Sequence, residues 1–163
     1  KTSTGRLQTF RSPDFGALGH ADGDRISFYR RPIRRVAPNT EFDIRGLDAL
    51  PRVDIAYSYT GDDGTATRAF VAAGAKGIIA ASFAPGMLVP TELAAYKEAI
   101  AAGVVVVLAT RVGSGRAFAS RPMREAGLIS ADNLTPQKAR ILLALALTRT
   151  SDPARLREIF ATY

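Results

Sequence analysis

Two short apolar runs constrain the fold more than any other feature of the chain. They are Gly77-Ile78-Ile79-Ala80-Ala81 and the seven residues Val104 to Thr110, VVVVLAT. Runs this short, without polar alternation, are strands buried on both faces, as in a parallel sheet covered by helices. Between them lies PTELAAYKEAIAAG, Pro90 to Gly103. Pro in its first turn and Gly at its end mark it as a helix. A strand, a helix and a second strand at this spacing form a right-handed parallel crossover.

The same alternation runs outward in both directions. Val53 to Tyr59 reads as a strand rich in β-branched and aromatic residues. GDDGTATRAFVAAG then gives a turn and a helix ending near Gly74. Downstream, a Gly-, Ser- and Arg-rich stretch from Arg111 to Ala126 reads as a loop, and Gly127 to Ser130 as a fourth short strand. Thr135-Pro136 opens a helix, QKARILLALAL, apolar nearly all round and therefore expected to be buried. Asp152-Pro153 opens the last helix, whose Leu156, Ile159, Phe160 and Tyr163 make one apolar face. The fold class expected is α/β: a small three-layer, Rossmann-like domain with a parallel sheet of about four strands, over residues 51–163. Ligands of such sheets bind beyond the carboxyl ends of the strands, here 60–64, 82–89 and 110–115.

The first 50 residues are of another kind. Turn signals fall at Ser12-Pro13-Asp14, Ala21-Asp22-Gly23 and Pro38-Asn39. GALGH and DRISFYR around the second of these predict a β-hairpin over 16–30. YRRPIRRVAPNTEFD follows, with Pro32, Pro38 and the arginines Arg30, Arg31, Arg34 and Arg35, and reads as an extended, solvated linker over 31–50. The N-terminus, KTSTGRLQTF, has neither an initiator Met nor a charged-then-apolar leader, which suggests a piece of a longer chain.

Composition excludes several kinds of chemistry. With 163 residues and 47% apolar content, a folded core is expected. No apolar run is long enough to span a bilayer, so no membrane partner is expected. The absence of Cys removes disulfides, thiol nucleophiles and thiolate metal sites. His20 is the only His, which excludes His-cluster metal sites and leaves one residue for any Ser-His-Asp triad. It lies in the hairpin without a Ser partner and reads as a surface or packing residue. The net charge of +7 raises a nucleic-acid or anion-binding surface. The basic residues are not interleaved with stacking aromatics, so compositional bias is preferred and no nucleic-acid partner is expected.

The motifs for cofactors are incomplete. GSGRAF, Gly113 to Phe118, begins like a dinucleotide fingerprint, but Phe118 stands where the third Gly belongs. No phosphate-binding P-loop is present, and no cofactor is expected. Asp62-Asp63-Gly64 reads as a solvated turn capping the next helix rather than a cation site. Tyr57 and Tyr59 share one strand face and are expected to pack in the core. Glu125 and Asp132 flank the fourth strand and are placed to face one cleft, which alone is weak evidence for acid–base work. Read for chemistry, the residues make a scaffold able to bear a site without a complete catalytic set.

The C-terminal stretch NLTPQKARILLALALTRTSDPARLREIFATY is similar to the closing segment of type II L-asparaginases, through its Pro-Gln-Lys-Ala-Arg helix start and its Phe-x-x-Tyr end. LPRVDIAYSYTGDD resembles the strand that opens that family's C-terminal domain. AGAKGIIAASFAPG and AGVVVVLATRVGSG resemble its second and third strands with their loops. Lys1-Thr2 and FRSPDFGALGHADGDRISFYRRP resemble the end of its N-terminal domain and the start of its interdomain linker. The resemblance implies three parts: 1–30 as the end of the first domain, 31–50 as the interdomain linker and 51–163 as the C-terminal α/β domain.

The resemblance also implies an intact enzyme that hydrolyses L-asparagine or a related amide to acid and ammonia through an acyl-enzyme on Thr. The nucleophilic threonines and their activating Lys and Asp belong to the N-terminal domain, so these 163 residues are expected to be inactive alone. In the family, the C-terminal domain lends residues to a neighbouring subunit's site in a homo-oligomer, dimer or tetramer, from the loops after its second and third strands. The positions that match are Ser82, Pro85, Gly86 and Met87 in the first loop, with Glu125 the nearest acid in the second. Met87 is a departure, since many members place Asn there, and a thioether cannot supply an amide's hydrogen bonds. The resemblance extends to a related amidotransferase subunit. The alternative reading is a non-catalytic Rossmann-like module for small-molecule binding or oligomerisation. The compartment, cytoplasmic or periplasmic, stays open.

Overall fold

A computed structural model describes residues 2–12 and 14–163. Lys1 of the Lys1-Thr2 match and Pro13 of the first turn signal lie outside the described residues. After a 3-10 turn at Leu7–Thr9, the chain forms an antiparallel hairpin of β1 (Gly19–Asp22) and β2 (Arg25–Phe28). Asp22 pairs with Arg25, so the turn is Gly23-Asp24, one residue later than Ala21-Asp22-Gly23 suggested. Gly23 takes φ +64°, which glycine adopts without a steric cost.

The domain proper is β3 (Val53–Tyr57), α1 (Thr65–Ala72), β4 (Gly77–Ser82), α2 (Pro90–Ala101), β5 (Val105–Thr110), α3 (Arg121–Glu125), β6 (Ile129–Ser130), α4 (Pro136–Ala146) and α5 (Pro153–Thr162). The four strands pair in parallel in the order β3-β4-β5-β6. All six residues of β4 are buried, as its unbroken apolar run demands.

Alternation along the strands separates two cores. Val53, Ile79, Val107, Ala109 and Ile129 point to one face and meet Ala139, Leu142 and Leu143 of α4 and Leu156, Ile159 and Phe160 of α5. Ala56, Ile78, Ala80, Val106 and Leu108 point to the other and meet Tyr96 and Ala99 of α2. This is the three-layer arrangement expected. α4 buries Leu142, Leu143, Ala144 and Ala146, but Ile141 stays 49% exposed, so its surround is less complete than its composition suggested.

Two further features depart from the sequence reading. The stretch 111–126 is not all loop: Ser120-Arg121-Pro122 opens the five-residue α3, whose Met123 packs on the α2 side. The stretch 31–50 has no regular structure, yet it is stitched to the α/β domain. Arg35 N–H donates to Thr162 O at 2.9 Å, and the Phe42 ring lies 5.0 Å from that of Tyr163. Arg34 reaches Asp132 at 2.6 Å and Asn133 at 2.7 Å, so this part of the basic run is engaged rather than solvated. By contrast, in the arm that precedes Arg34, the side chains of Leu7, Phe10, Phe15, Ile26, Phe28 and Ile33 are largely exposed.

Candidate functional site at the carboxyl ends of the sheet

Parallel register brings the strand ends together. Tyr57 pairs with Ala81 and Ser82 with Thr110, so Ser58, Phe83 and Arg111 emerge side by side. Arg111 ties all three. Its backbone N–H donates to Ser82 O at 2.9 Å, and its Nη1 donates to Ser58 O at 2.7 Å. Its guanidinium lies 4.1 Å from the Phe83 ring centroid and 5.5 Å from that of Tyr57. Such cation–π contacts contribute roughly 0.5–1 kcal/mol each at exposed sites.

Tyr57 and Tyr59 are 57% and 52% exposed, which corrects their expected place in the core. Val53 and Ile55, earlier on the same face of the strand, pack into the core that α4 closes. Tyr57 has reached the N-terminal end of that helix, where Thr135, Pro136 and Gln137 border it and the cover stops. The Asp62-Asp63-Gly64 turn caps α1 as expected: Asp62 Oδ1 accepts from Gly64 N–H at 2.8 Å and Asp63 Oδ1 from Thr65 N–H at 2.9 Å. Asp62, however, is buried rather than solvated.

The loop after β4 is compact. Phe83 O accepts from the N–H groups of Gly86 and Met87, at 2.7 and 2.9 Å, and Phe83 N–H donates back to Met87 O at 3.1 Å. The Ala84-Pro85 peptide bond is cis, and Gly86 has φ +140°, a conformation that side chains other than glycine's rarely allow. Ser82 is fully buried, and its hydroxyl donates to Ala109 O at 2.6 Å, so it anchors the loop to the sheet. Pro85 and Met87 face solvent, Met87 with 64% exposure. Pro85 O accepts from Phe118 N–H at 3.0 Å, which sets the exposed Phe118 ring beside this loop.

The structure therefore places Pro85, Gly86 and Met87 in one loop, with Ser82 at the end of β4 anchoring it, and sets Phe118 next to it. Glu125 stands apart on α3, exposed, with its carboxylate paired to Arg121 at 2.8 Å. Asp132 does not share a cleft with it. Asp132 takes φ +54° and is held by Arg34 at 2.6 Å and by Arg116. No pattern in the sequence singled out Phe118, since an exposed aromatic in an irregular stretch has no periodicity to betray it.

Beneath the loop lies a polar cluster that sequence reading also missed. Glu92, in the first turn of α2, has no exposed surface. Its Oε1 accepts from Ser58 Oγ at 2.6 Å and from Tyr96 Oη at 2.9 Å, and its Oε2 accepts from Val89 N–H at 3.3 Å. Removing a carboxylate from water costs several kcal/mol. Donors to a charged acceptor return roughly 1.5–3 kcal/mol each, so the cluster is tolerable only because three converge. Burial, and then the adjacent Glu92 charge, push the Tyr96 phenol far above the ordinary tyrosine range. The only sequence signal was an acid at the third helical position, where it accepts from the N-cap amide; nothing in the pattern announced its burial.

His20 is exposed in the hairpin, its ring 5.8 Å from that of Tyr29. Among the described residues no group of three or more His, Asp or Glu side chains is placed to hold a metal ion, and no helix is long and apolar enough to cross a membrane.

Comparison with known proteins agrees with this architecture. A family model described as the glutaminase/asparaginase C-terminal domain matches residues 52–160. The whole chain is 36% identical to L-asparaginase 2 of Escherichia coli and 39% identical to L-asparaginase 2 of Bacillus subtilis, covering 47% and 43% of those proteins. It is 37% identical over 97% of its length to a glutaminase-asparaginase of Pseudomonas aeruginosa, covering 44% of that protein. The crystal structure of a probable cytoplasmic L-asparaginase from Campylobacter jejuni superposes on the entire chain with a TM-score of 0.95 at 41% identity, using 54% of that structure. The chain thus spans about half the length of the relatives it matches. With the fold, the strand-end loops and these matches in agreement, the chain belongs to the glutaminase/asparaginase C-terminal domain family.

Proposed function

We propose that this chain is the C-terminal lobe of an enzyme hydrolysing L-asparagine or a related amide to the acid and ammonia, with its nucleophile in a lobe outside these residues. The observation that carries the proposal is the match of the entire chain, at 36–39% identity, to about half of each of two proteins named L-asparaginase 2. The strand-end chemistry agrees. Ser82 spends its hydroxyl on a backbone carbonyl, and the one His has an aromatic ring beside it rather than a hydroxyl, which accords with a nucleophile outside these residues.

In this reading residues 1–30 complete the first lobe, 31–50 link the lobes and 51–163 form the second. The protein is a homo-oligomer with isologous pairing, and the loop Phe83–Met87 contacts substrate bound in a neighbouring subunit. Met87 offers a thioether where an amide would donate and accept, so that loop shapes the pocket by apolar contact rather than by hydrogen bonding. Pairing of Glu125 with Arg121 leaves its part as a substrate contact to be assayed by substitution.

The test is ammonia release from L-asparagine and L-glutamine. The intact protein, or this chain co-expressed with its amino-terminal half, should release ammonia, and the 163-residue chain alone should not. Release by the chain alone would place a nucleophile within it and overturn the division of labour. An intact protein inert towards both amides would overturn the substrate class.

A further inference from the structure

The buried cluster under the Phe83–Met87 loop has a geometry that ties three strand ends to one carboxylate. Glu92 accepts from Val89 N–H, where the polypeptide leaves the loop and enters α2, at 3.3 Å. It accepts from Ser58 Oγ, just past the end of β3, at 2.6 Å, and the same serine's carbonyl receives the Arg111 guanidinium at 2.7 Å. That guanidinium lies on Phe83, the first residue of the loop, at 4.1 Å. Both ends of the loop are thus referred to Glu92, one directly and one through Ser58 and Arg111. Tyr96, one turn along α2, fixes the carboxylate from below at 2.9 Å. A core of this kind needs no carboxylate for stability, because apolar groups of similar shape often serve as well.

We infer that Glu92 is a positioning residue, which sets the place of the Phe83–Met87 loop through Val89 and through the Ser58–Arg111–Phe83 chain. The inference rests on the proposed reading of that loop as a contact to substrate. Glu92 touches no substrate itself. It acts by keeping the loop in one conformation before substrate arrives, which lowers the cost of ordering it on binding.

Two variants of the intact enzyme test this. The triple variant Ser58→Ala/Glu92→Leu/Tyr96→Phe replaces all three side chains of the cluster with apolar groups, so that no carboxylate or hydroxyl of these three stays buried without a partner, and it frees the half-buried Val89 N–H from its acceptor. Tyr96→Phe alone keeps the Val89 and Ser58 links. In the triple variant, hydrogen exchange at the Gly86 and Met87 amides should quicken at least tenfold, with the Ile79 and Val107 amides of β4 and β5 unchanged. Its KM for L-asparagine should rise at least fivefold, with kcat within about twofold. Tyr96→Phe, which removes one donor but neither link to the loop, should move each readout by less than the triple variant does. Unchanged exchange at Gly86 and Met87 in the triple variant overturns Glu92 as a positioning residue. Faster exchange with an unchanged KM upholds the hold of Glu92 on the loop and removes instead the loop's role at substrate.

Discussion

Gly77 offers a direct test of how α4 sits on the sheet. It is the first residue of β4, buried, and α4 lowers Leu143 onto it. A Cβ built at Gly77 would stand 2.6 Å from Leu143 Cδ2 and 3.2 Å from both Leu143 Cγ and Leu147 Cδ1. Gly77→Ala therefore overpacks the layer, and such additions cost about 1–3 kcal/mol. The loss of backbone freedom in the unfolded chain offsets roughly 0.4–1 kcal/mol of that, leaving a net destabilisation on the order of 1 kcal/mol. Leu143→Ala opens a cavity in the same layer and should cost about 2–5 kcal/mol. In the double variant the two nearest clashing atoms are gone, and the new methyl fills part of the cavity. The double variant should therefore be more stable than additivity predicts by about 1–3 kcal/mol, since residues in contact couple on that scale. Equilibrium urea unfolding, read by far-UV circular dichroism and fitted with a common m-value, measures all four corners of the cycle. Additivity within about 0.5 kcal/mol, or a stabilising Gly77→Ala, would show that Leu143 does not rest on Gly77 and refute this account of the helix–sheet layer.

Two further predictions concern titration and the lone imidazole. Because burial raises the Tyr96 phenol in the folded state, folding favours its protonated form. The stabilisation is complete below the unfolded tyrosine value of about 10 and is lost as pH rises beyond it. Unfolding midpoints should therefore fall between about pH 9.5 and 11, and Tyr96→Phe should flatten that fall; an equally steep fall in the variant would place its cause elsewhere. His20→Ala should shift unfolding by no more than about 0.5 kcal/mol, as exposed surface positions usually do. It should also leave amide hydrolysis by the intact protein within twofold, and a tenfold loss in the assay would give His20 a chemical role.

The legible parts of the fold were those in which one local rule dominates. β4 and β5 announced themselves because wholly apolar runs of five to seven residues have few other solutions. The starts of α2, α4 and α5 were visible because Pro at N1 coincides with a strong apolar pattern behind it. α3 was hidden because five residues among Gly, Ser and Arg carry no periodicity, and its stability comes from Met123 docking on a distant surface. Tyr57 misled for a related reason. Its strand face is right, but whether that face is covered depends on where α4 begins, which the strand itself does not encode. Of the candidate site, the position of the segment 82–89 at a strand's carboxyl end could be read from its place after a buried strand. The anchoring role of Glu92 could not, since hydrogen bonds from Ser58, Val89 and Tyr96 meet only after β3 and α2 are packed together.

The uncovered arm has a practical consequence for anyone handling these residues by themselves. Leu7, Phe10, Phe15, Ile26, Phe28 and Ile33 each present apolar surface to solvent outside a well-packed domain. A preparation of this chain should cling to itself and to column matrices at high salt, where its positive charge is screened, and disperse at low salt, where that charge repels. Changing those arm side chains to polar ones should cure the clinging without loosening the sheet, because none of them contributes to either apolar layer.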